Sequence, residues 1–197
     1  MRYPLPRSFY EQPTLEVAQA LLGQEILRIL PGGERLSGII VETEAYLGAQ
    51  DPASHAYRGK TLRNAVMFGA GGHAYVYFSY GMHMMLNLVT GPEGVGEAVL
   101  IRGLEPIEGV EKMRLLRSGI SSTLQLTNGP GKLAQALSLT RKEDNDVDVT
   151  SALGYLQVLP RNCPQFKIVS GARIGISRAK DLPWRYYVEG NPYVSKR

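Results

Sequence analysis

The sequence predicts a single mixed α+β domain, on three observations. Its 197 residues suit one compact domain, or two small ones, and suffice to bury roughly two-thirds of the unfolded surface. Runs rich in β-branched and aromatic residues recur at 24–30, 36–46, 74–80, 84–89 and 98–104, and the short connections among them favour antiparallel pairing. Helical spacing of apolar residues marks three further segments, and no internal repeat, low-complexity tract or linker divides the chain.

Taken in order, Thr14 can cap a helix in which Leu15, Ala18, Leu21 and Leu22 keep helical spacing, with Gly23 as its stop. Residues 24–30 and 36–46, on either side of Pro31-Gly32-Gly33, read as a hairpin. The stretch 48–72 is rich in glycine, polar and basic residues, with a short helix near 62–66, and is too long for a plain connector. Ordered loops of that length usually serve a function. Strands at 74–80, 84–89 and 98–104 follow, punctuated by Gly81 and Gly91-Pro92. Pro106 to Leu116 aligns Ile107, Val110, Met113 and Leu116 on one helical face and closes at Gly119. Asn128-Gly129-Pro130 opens a helix over 131–139, whose N-terminal amides suit a phosphate. A charged turn at 141–148 precedes strands near 154–158, 167–176 and 184–189.

Composition excludes several classes. Hydrophobic residues at 44% and charged residues at 20% are ordinary for a globular protein, and no apolar run approaches the roughly twenty residues of a membrane-spanning helix. Pro4, Pro6, Glu11 and Pro13 interrupt the first fifteen residues, so no secretion signal is visible. Cys163 is the only cysteine, which rules out an internal disulfide and any multi-cysteine zinc or iron-sulfur site and fits a reducing cellular interior. The net charge of +4 says less than its distribution. Acids crowd into 93–111 and 143–148, whereas residues 52–92 hold none and carry Arg58, Lys60, Arg63, all three histidines and six aromatics.

Glu44 and Tyr46 lie just before that stretch, two residues apart in the run IIVETEAY (39–46). A strand there sets a carboxylate beside an aromatic ring on one face. A cationic, ring-rich surface next to one carboxylate points to chemistry on a nucleic acid. The plainer reading is a strand whose Ile40, Glu42, Glu44 and Tyr46 face solvent while Val41, Thr43 and Ala45 face the core. In the strand at 74–80, Tyr75, Tyr77 and Ser79 share one face and Val76, Phe78 and Tyr80 the other. Tyr80 ends that strand before Gly81-Met82-His83, and a ring and a thioether at a hairpin tip are the kind of wedge that minor-groove proteins insert between base pairs.

Other chemistry finds no pattern. His55, His73 and His83 match no metal-ligand spacing, Cys163 sits in a polar, Pro-flanked loop without a nucleophile motif, and Gly69-Ala70-Gly71-Gly72 lacks the lysine of a P-loop. No metal and no cofactor is expected.

VETEAYLG (41–48), His55, YVYFSYGM (75–82), Asn87, LIRGLEPIEG (100–109), GPGKL (129–133), ARIGI (172–176) and RYYVEGNPYVS (185–195) resemble the alkyladenine, or 3-methyladenine, DNA glycosylases, also called methylpurine DNA glycosylases. The resemblance covers nearly the whole chain. It implies one domain with a curved antiparallel sheet, flanking helices and a protruding β-hairpin. It further implies hydrolysis of the N-glycosylic bond of damaged purines in double-stranded DNA after the nucleotide is rotated out of the stack.

By that resemblance Glu44 is the general base that activates water, and Arg102 with the backbone carbonyl of Ile174 helps to hold that water. Tyr46 stacks on one face of the extruded base, with Tyr77 and His55 on the other, and Asn87 collides with the exocyclic amine of normal guanine. Tyr80 is the intercalating residue, flanked by Met82 and by His83, which replaces an aromatic there. Thr61, Arg63 and Lys132 fall at positions that suggest phosphate contacts; the loop from His55 to Met67, which holds the first two, is one residue shorter than in vertebrate members. No lysine matches an amine nucleophile, so a monofunctional, cofactor-free enzyme is expected. The short N-terminal region resembles bacterial members, and a cytoplasmic, nucleoid-associated monomer is expected. Two other classes compete: a silent nucleic-acid-binding module, and a hydrolase of free nucleosides, which needs a second carboxylate for which Glu42 is the near candidate.

Overall fold

A computed structural model describes residues 2–79, 81 and 83–195. One long strand organises it. The first strand, β1 (Glu25–Ile29), pairs antiparallel with the near half of β2 (Arg35–Leu47), from Ile29 opposite Arg35 to Glu25 opposite Ile39. The turn between them closes through Gly33, whose φ of +82° is the left-handed conformation that glycine adopts without strain. Further along, β3 (Ala74–Ser79), β4 (His83–Thr90) and β5 (Glu97–Glu108) form a meander, and β5 runs along the other edge of β2.

Three shorter strands complete the sheet: β6 (Leu156–Leu159) on β1, β8 (Arg185–Val188) on the far half of β2, and β7 (Ile168–Gly171) on β8. One edge of β2 thus serves β1 first and β8 next, so the sheet divides there and curls into a half-barrel. Every strand pairing among the described residues is antiparallel, as the short connections predict.

Among the described residues six short α-helices pack around the sheet: α1 (Arg7–Tyr10), α2 (Thr14–Ala20), α3 (Val110–Leu116), α4 (Leu124–Thr127), α5 (Pro130–Ala136) and α6 (Arg141–Asp144). The main core lies between these helices and the sheet, with Tyr10, Leu21, Ile40, Leu86, Leu104 and Met113 wholly enclosed. A second, smaller cluster of Ala56, Met67, Tyr75, Val89 and Ala98 fills the space under the loop 48–72. That cluster gives the long loop an apolar anchor.

Three expectations are corrected. Thr14 does not cap its helix: Pro13 holds the cap position, and the Thr14 hydroxyl donates to Glu97 at 2.5 Å and contacts Thr90 instead. Residues 106–108 extend β5 rather than opening a helix, and α3 begins only after Gly109, so strand pairing with Ser37 and Gly38 overrides the helical spacing of Ile107. The short helix expected near 62–66 is a 3₁₀ turn at Ala65–Phe68. The strands β3 and β4 form the expected hairpin; its tip residues Tyr80 and Met82 lie outside the described residues.

Candidate active site

Glu44 does not face solvent. Both faces of β2 are covered, and Glu42 and Glu44 are each fully buried while Thr43 and Ala45 pack on the opposite side. The Thr43 hydroxyl donates to the Ala18 carbonyl at 2.7 Å, which ties α2 to the core face. Of the three irregularities in the pairing of β2 with β5, two lie beside the glutamates: Ile40 opposes Leu104, Glu42 opposes Gly103, and Thr43 opposes Ile101. Val41 and Arg102 are therefore the extra residues of two successive bulges. A bulge re-aims a side chain, and this one delivers the Arg102 guanidinium to both glutamates, 3.2 Å from Glu42 and 3.3 Å from Glu44.

Among the described residues the Glu44 carboxylate has three partners. The Ile174 N–H donates to Oε1 at 2.6 Å, the Tyr46 hydroxyl donates to Oε2 at 2.9 Å, and Arg102 Nη1 stands beside Oε2. Loss of solvent on burial raises the pKa of Glu44 above the ordinary glutamate range, against the pull of Arg102, the Ile174 amide and Tyr46. Burial, and then the neighbouring Glu44 charge, push the Tyr46 phenol well above its usual range, so it remains a donor.

Beside this cluster opens a cavity of about 410 Å³, lined by Tyr46, Arg102 and Ile174, the three partners of Glu44. His55, Tyr77 and Asn87 line it too. Such a volume falls within the roughly 300–1,000 Å³ of small-molecule sites. Tyr77 stacks on Tyr75 with ring centres 5.0 Å apart, and the His55 ring meets Tyr77 edge-on at 4.6 Å. His55 Nδ1 and the Tyr75 hydroxyl share a 3.0 Å hydrogen bond. Burial, and secondarily the charge of Arg63, lower the basicity of His55, which keeps the imidazole neutral at physiological pH. Asn87 reaches the cavity from β4 with its Oδ1 buried and, among the described residues, without a hydrogen-bond partner.

The structure thus gathers Tyr46, His55, Tyr77, Asn87 and Arg102 on the wall of one cavity, while Glu44 is fully buried behind that wall, in contact with Tyr46, Arg102 and Ile174. Thr61, Arg63, His83 and Lys132 lie outside it. Thr61 and Arg63 are exposed; Thr61 hydrogen-bonds Asn64, and Arg63 donates to the Phe78 carbonyl at 3.3 Å. His83 is exposed on β4 next to Gly131 of α5, and Lys132 donates to Asn128 Oδ1 at 2.7 Å. His73 turns elsewhere, to Asp146 at 2.9 Å.

Sequence reasoning missed several supports. Asn64 is buried and donates to the carbonyls of His55 and Gly59, knotting the loop that carries His55. Arg173 and Asp51 form a fully buried bidentate pair, and the Arg173 guanidinium lies between the Tyr46 and Trp184 rings at 4.7 and 5.0 Å. Glu42, Arg185 and Ser195 form a second buried cluster behind Arg102. Glu42, Arg185 and Ser195 stand in the runs VETEAYLG and RYYVEGNPYVS, and Arg173 in ARIGI, but nothing local in those runs names their partners.

The family model for methylpurine-DNA glycosylase matches residues 8–192. A protein of Bacillus cereus (strain ATCC 14579) named "Putative 3-methyladenine DNA glycosylase" is 48% identical over 204 residues, covering 98% of each chain. Proteins of the same name from Bacillus anthracis (strain A0248) and Bacillus thuringiensis (strain Al Hakam) are 47% identical with the same coverage. Among the described residues, no helix is long and apolar enough to cross a membrane.

Proposed function

The chain belongs to the methylpurine-DNA glycosylase family, a hydrolase of N-glycosylic bonds in DNA repair, and from that premise we propose how its site acts. An alkylated or deaminated purine, of the 3-methyladenine, 7-methylguanine, hypoxanthine or ethenoadenine type, leaves the stack of double-stranded DNA and enters the cavity between Tyr46 and the Tyr77–His55 pair. Glu44 takes a proton from water as the water oxygen bonds to the anomeric carbon. The glycosylic bond breaks, its electron pair leaves with the base, and an abasic site remains.

The observation that carries this reading is the buried Glu44 carboxylate, held by three groups that also line a cavity walled by aromatic rings. Its negative charge favours the oxocarbenium-like transition state. Electron-rich ring faces attract a cationic methylated base, which becomes neutral on leaving and needs no acid. Neutral lesions such as hypoxanthine need a proton on the departing base. Tyr80 fills the gap left in the duplex, Asn87 turns away normal guanine, and Met82, Thr61, Arg63, His83 and Lys132 meet the DNA backbone and groove. The acting unit is a monomer.

Glu42 speaks against a two-carboxylate nucleoside hydrolase. Both of its oxygens accept hydrogen bonds from Arg102, Arg185 and Ser195, and it does not line the cavity. The test is incubation with duplexes that each carry one modified purine, with assays for free base and for alkali-labile sites. Base release from duplex but not from free nucleosides, and lost in Glu44→Gln while lesion binding persists, is the expected result. Unchanged release by Glu44→Gln removes it from the mechanism.

A further inference from the structure

We propose that Glu42 is a positioning residue: with Arg185 and Ser195 it holds the Arg102 guanidinium in a one-handed contact with Glu44, and so keeps the other carboxylate oxygen free of arginine. This rests on the reading of Glu44 as the general base and deepens it.

Glu42 is fully buried, a costly place for a carboxylate without partners. It has four. Oε1 accepts from Arg185 Nε at 2.6 Å, from the Ser195 hydroxyl at 2.9 Å and from Arg102 Nε at 3.2 Å, and Oε2 accepts from the Ser195 N–H at 2.7 Å. Arg102 is spread over the same cluster. Its Nε goes to Glu42, its Nη2 donates to the Ser195 hydroxyl at 3.3 Å, and its Nη1 alone meets Glu44.

A guanidinium next to a carboxylate prefers the bidentate fork, which engages both oxygens at once. At Glu44 that fork would displace the Ile174 amide from Oε1 and bind the oxygen pair that must receive a proton. Glu42 and Ser195 prevent it by occupying the other two nitrogens of Arg102. The approach of the segment 193–195 depends on Gly103, the residue after the bulged Arg102. A Cβ there would lie 2.8 Å from the Tyr193 carbonyl oxygen, closer than real contacts allow.

The experiment is single-turnover base release from a duplex carrying one 7-methylguanine, at saturating enzyme, across pH, with Kd for the same duplex measured alongside. The charged and titratable groups facing Glu44 are Glu42, Arg102 and Tyr46, with Arg173 behind Tyr46 and Arg185 behind Glu42. Glu42→Gln is expected to lower the maximal rate about 100-fold, as for a misplaced reacting group. Its Kd should stay within about twofold of the native value, and the acid limb of its profile should move to lower pH, because the arginine charges then act on Glu44 alone. Ser195→Ala should cost about tenfold, the order of one hydrogen bond to a charged group, and Ser195→Thr, which keeps the hydroxyl, should restore most of the rate.

A merely structural role would lower thermal stability and leave the pH profile and the threonine rescue unmoved. If Glu42→Gln does not fold, the Ser195 pair decides: a native rate for Ser195→Ala overturns the proposal. Glu44→Gln run in parallel separates the two readings. If it still releases base, the general-base reading fails and this one with it. If it is inactive while the folded Glu42 and Ser195 variants keep the native rate and profile, the positioning role alone fails.

Discussion

The Arg173 guanidinium lies 4.7 Å from the centre of the Tyr46 ring while its two terminal nitrogens grip the carboxylate of Asp51. Arg173 also donates to the Ala45 carbonyl at 2.9 Å and is followed by Ile174, whose N–H holds Glu44. One buried ion pair therefore braces the back of the stacking ring and sets the amide beside the carboxylate.

Arg173→Met should be strongly destabilising, by about 3–5 kcal/mol, because it leaves the Asp51 charge buried without its partner. The double variant Asp51→Leu with Arg173→Met removes both charges and should recover most of that loss. It should not recover base release, since Tyr46 and Ile174 lose their common support. Urea midpoints with single-turnover rates check this, and a double variant as active as the native chain would confine the pair to stability.

The rate of base release should climb with pH through one ionisation lying above the ordinary glutamate range, and should be lost as pH falls through it. Burial raises Glu44 first, with the Glu42 charge adding to it, and Arg102, the Ile174 amide and Tyr46 oppose without cancelling. A base acts only when ionised. A pH profile of single-turnover rate on a cationic lesion, where no acid is needed, isolates that limb; a rate that stays flat down into the ordinary carboxylate range would show that Glu44 does not set it.

The same shift has a sign for stability. A carboxyl raised on folding binds its proton more tightly in the folded state, so its stabilising contribution is whole below the unfolded value and is lost as pH rises through the folded one. Above that ionisation the charged Glu44 therefore weakens the fold. Glu44→Gln should melt a few degrees above the native chain at pH 7, with the difference vanishing in acid, while base release falls about 10²–10⁴-fold. Calorimetry at the two pH values measures it, and a lower Tm at pH 7 would mean that the Arg102 attraction outweighs burial.

Much of this architecture was legible because local pattern and tertiary packing agree. The hairpin of β1 and β2 and the meander of β3 to β5 follow from β-rich runs between turn residues, and the Glu44–Tyr46 adjacency follows from the period of a strand. The solvent-face alternative for Glu44 failed because β2 has no solvent face: alternation cannot report a strand covered on both sides. The helix start at Pro106 failed because pairing with β2 outweighed spacing. The Asp51–Arg173 and Glu42–Arg185–Ser195 clusters join residues more than 120 positions apart, and no local period encodes such partners.

Arg63 and Lys132 carry charges that no carboxylate within 4 Å neutralises among the described residues; their recorded partners are the Phe78 carbonyl and the Asn128 amide oxygen. Uncompensated cations flanking a cavity are available to phosphates, and each phosphate contact releases a condensed counterion. Arg63→Gln and Lys132→Gln should each weaken binding to duplexes of any sequence and lower the slope of log K against log salt by about 0.9. Lys132 also responds to pH: burial, and then the nearby Arg117, lower its basicity, so its share should fade as the solution becomes alkaline. Fluorescence anisotropy over a salt series at two pH values reads both effects, and a slope unchanged by either substitution would remove that residue from the DNA contact.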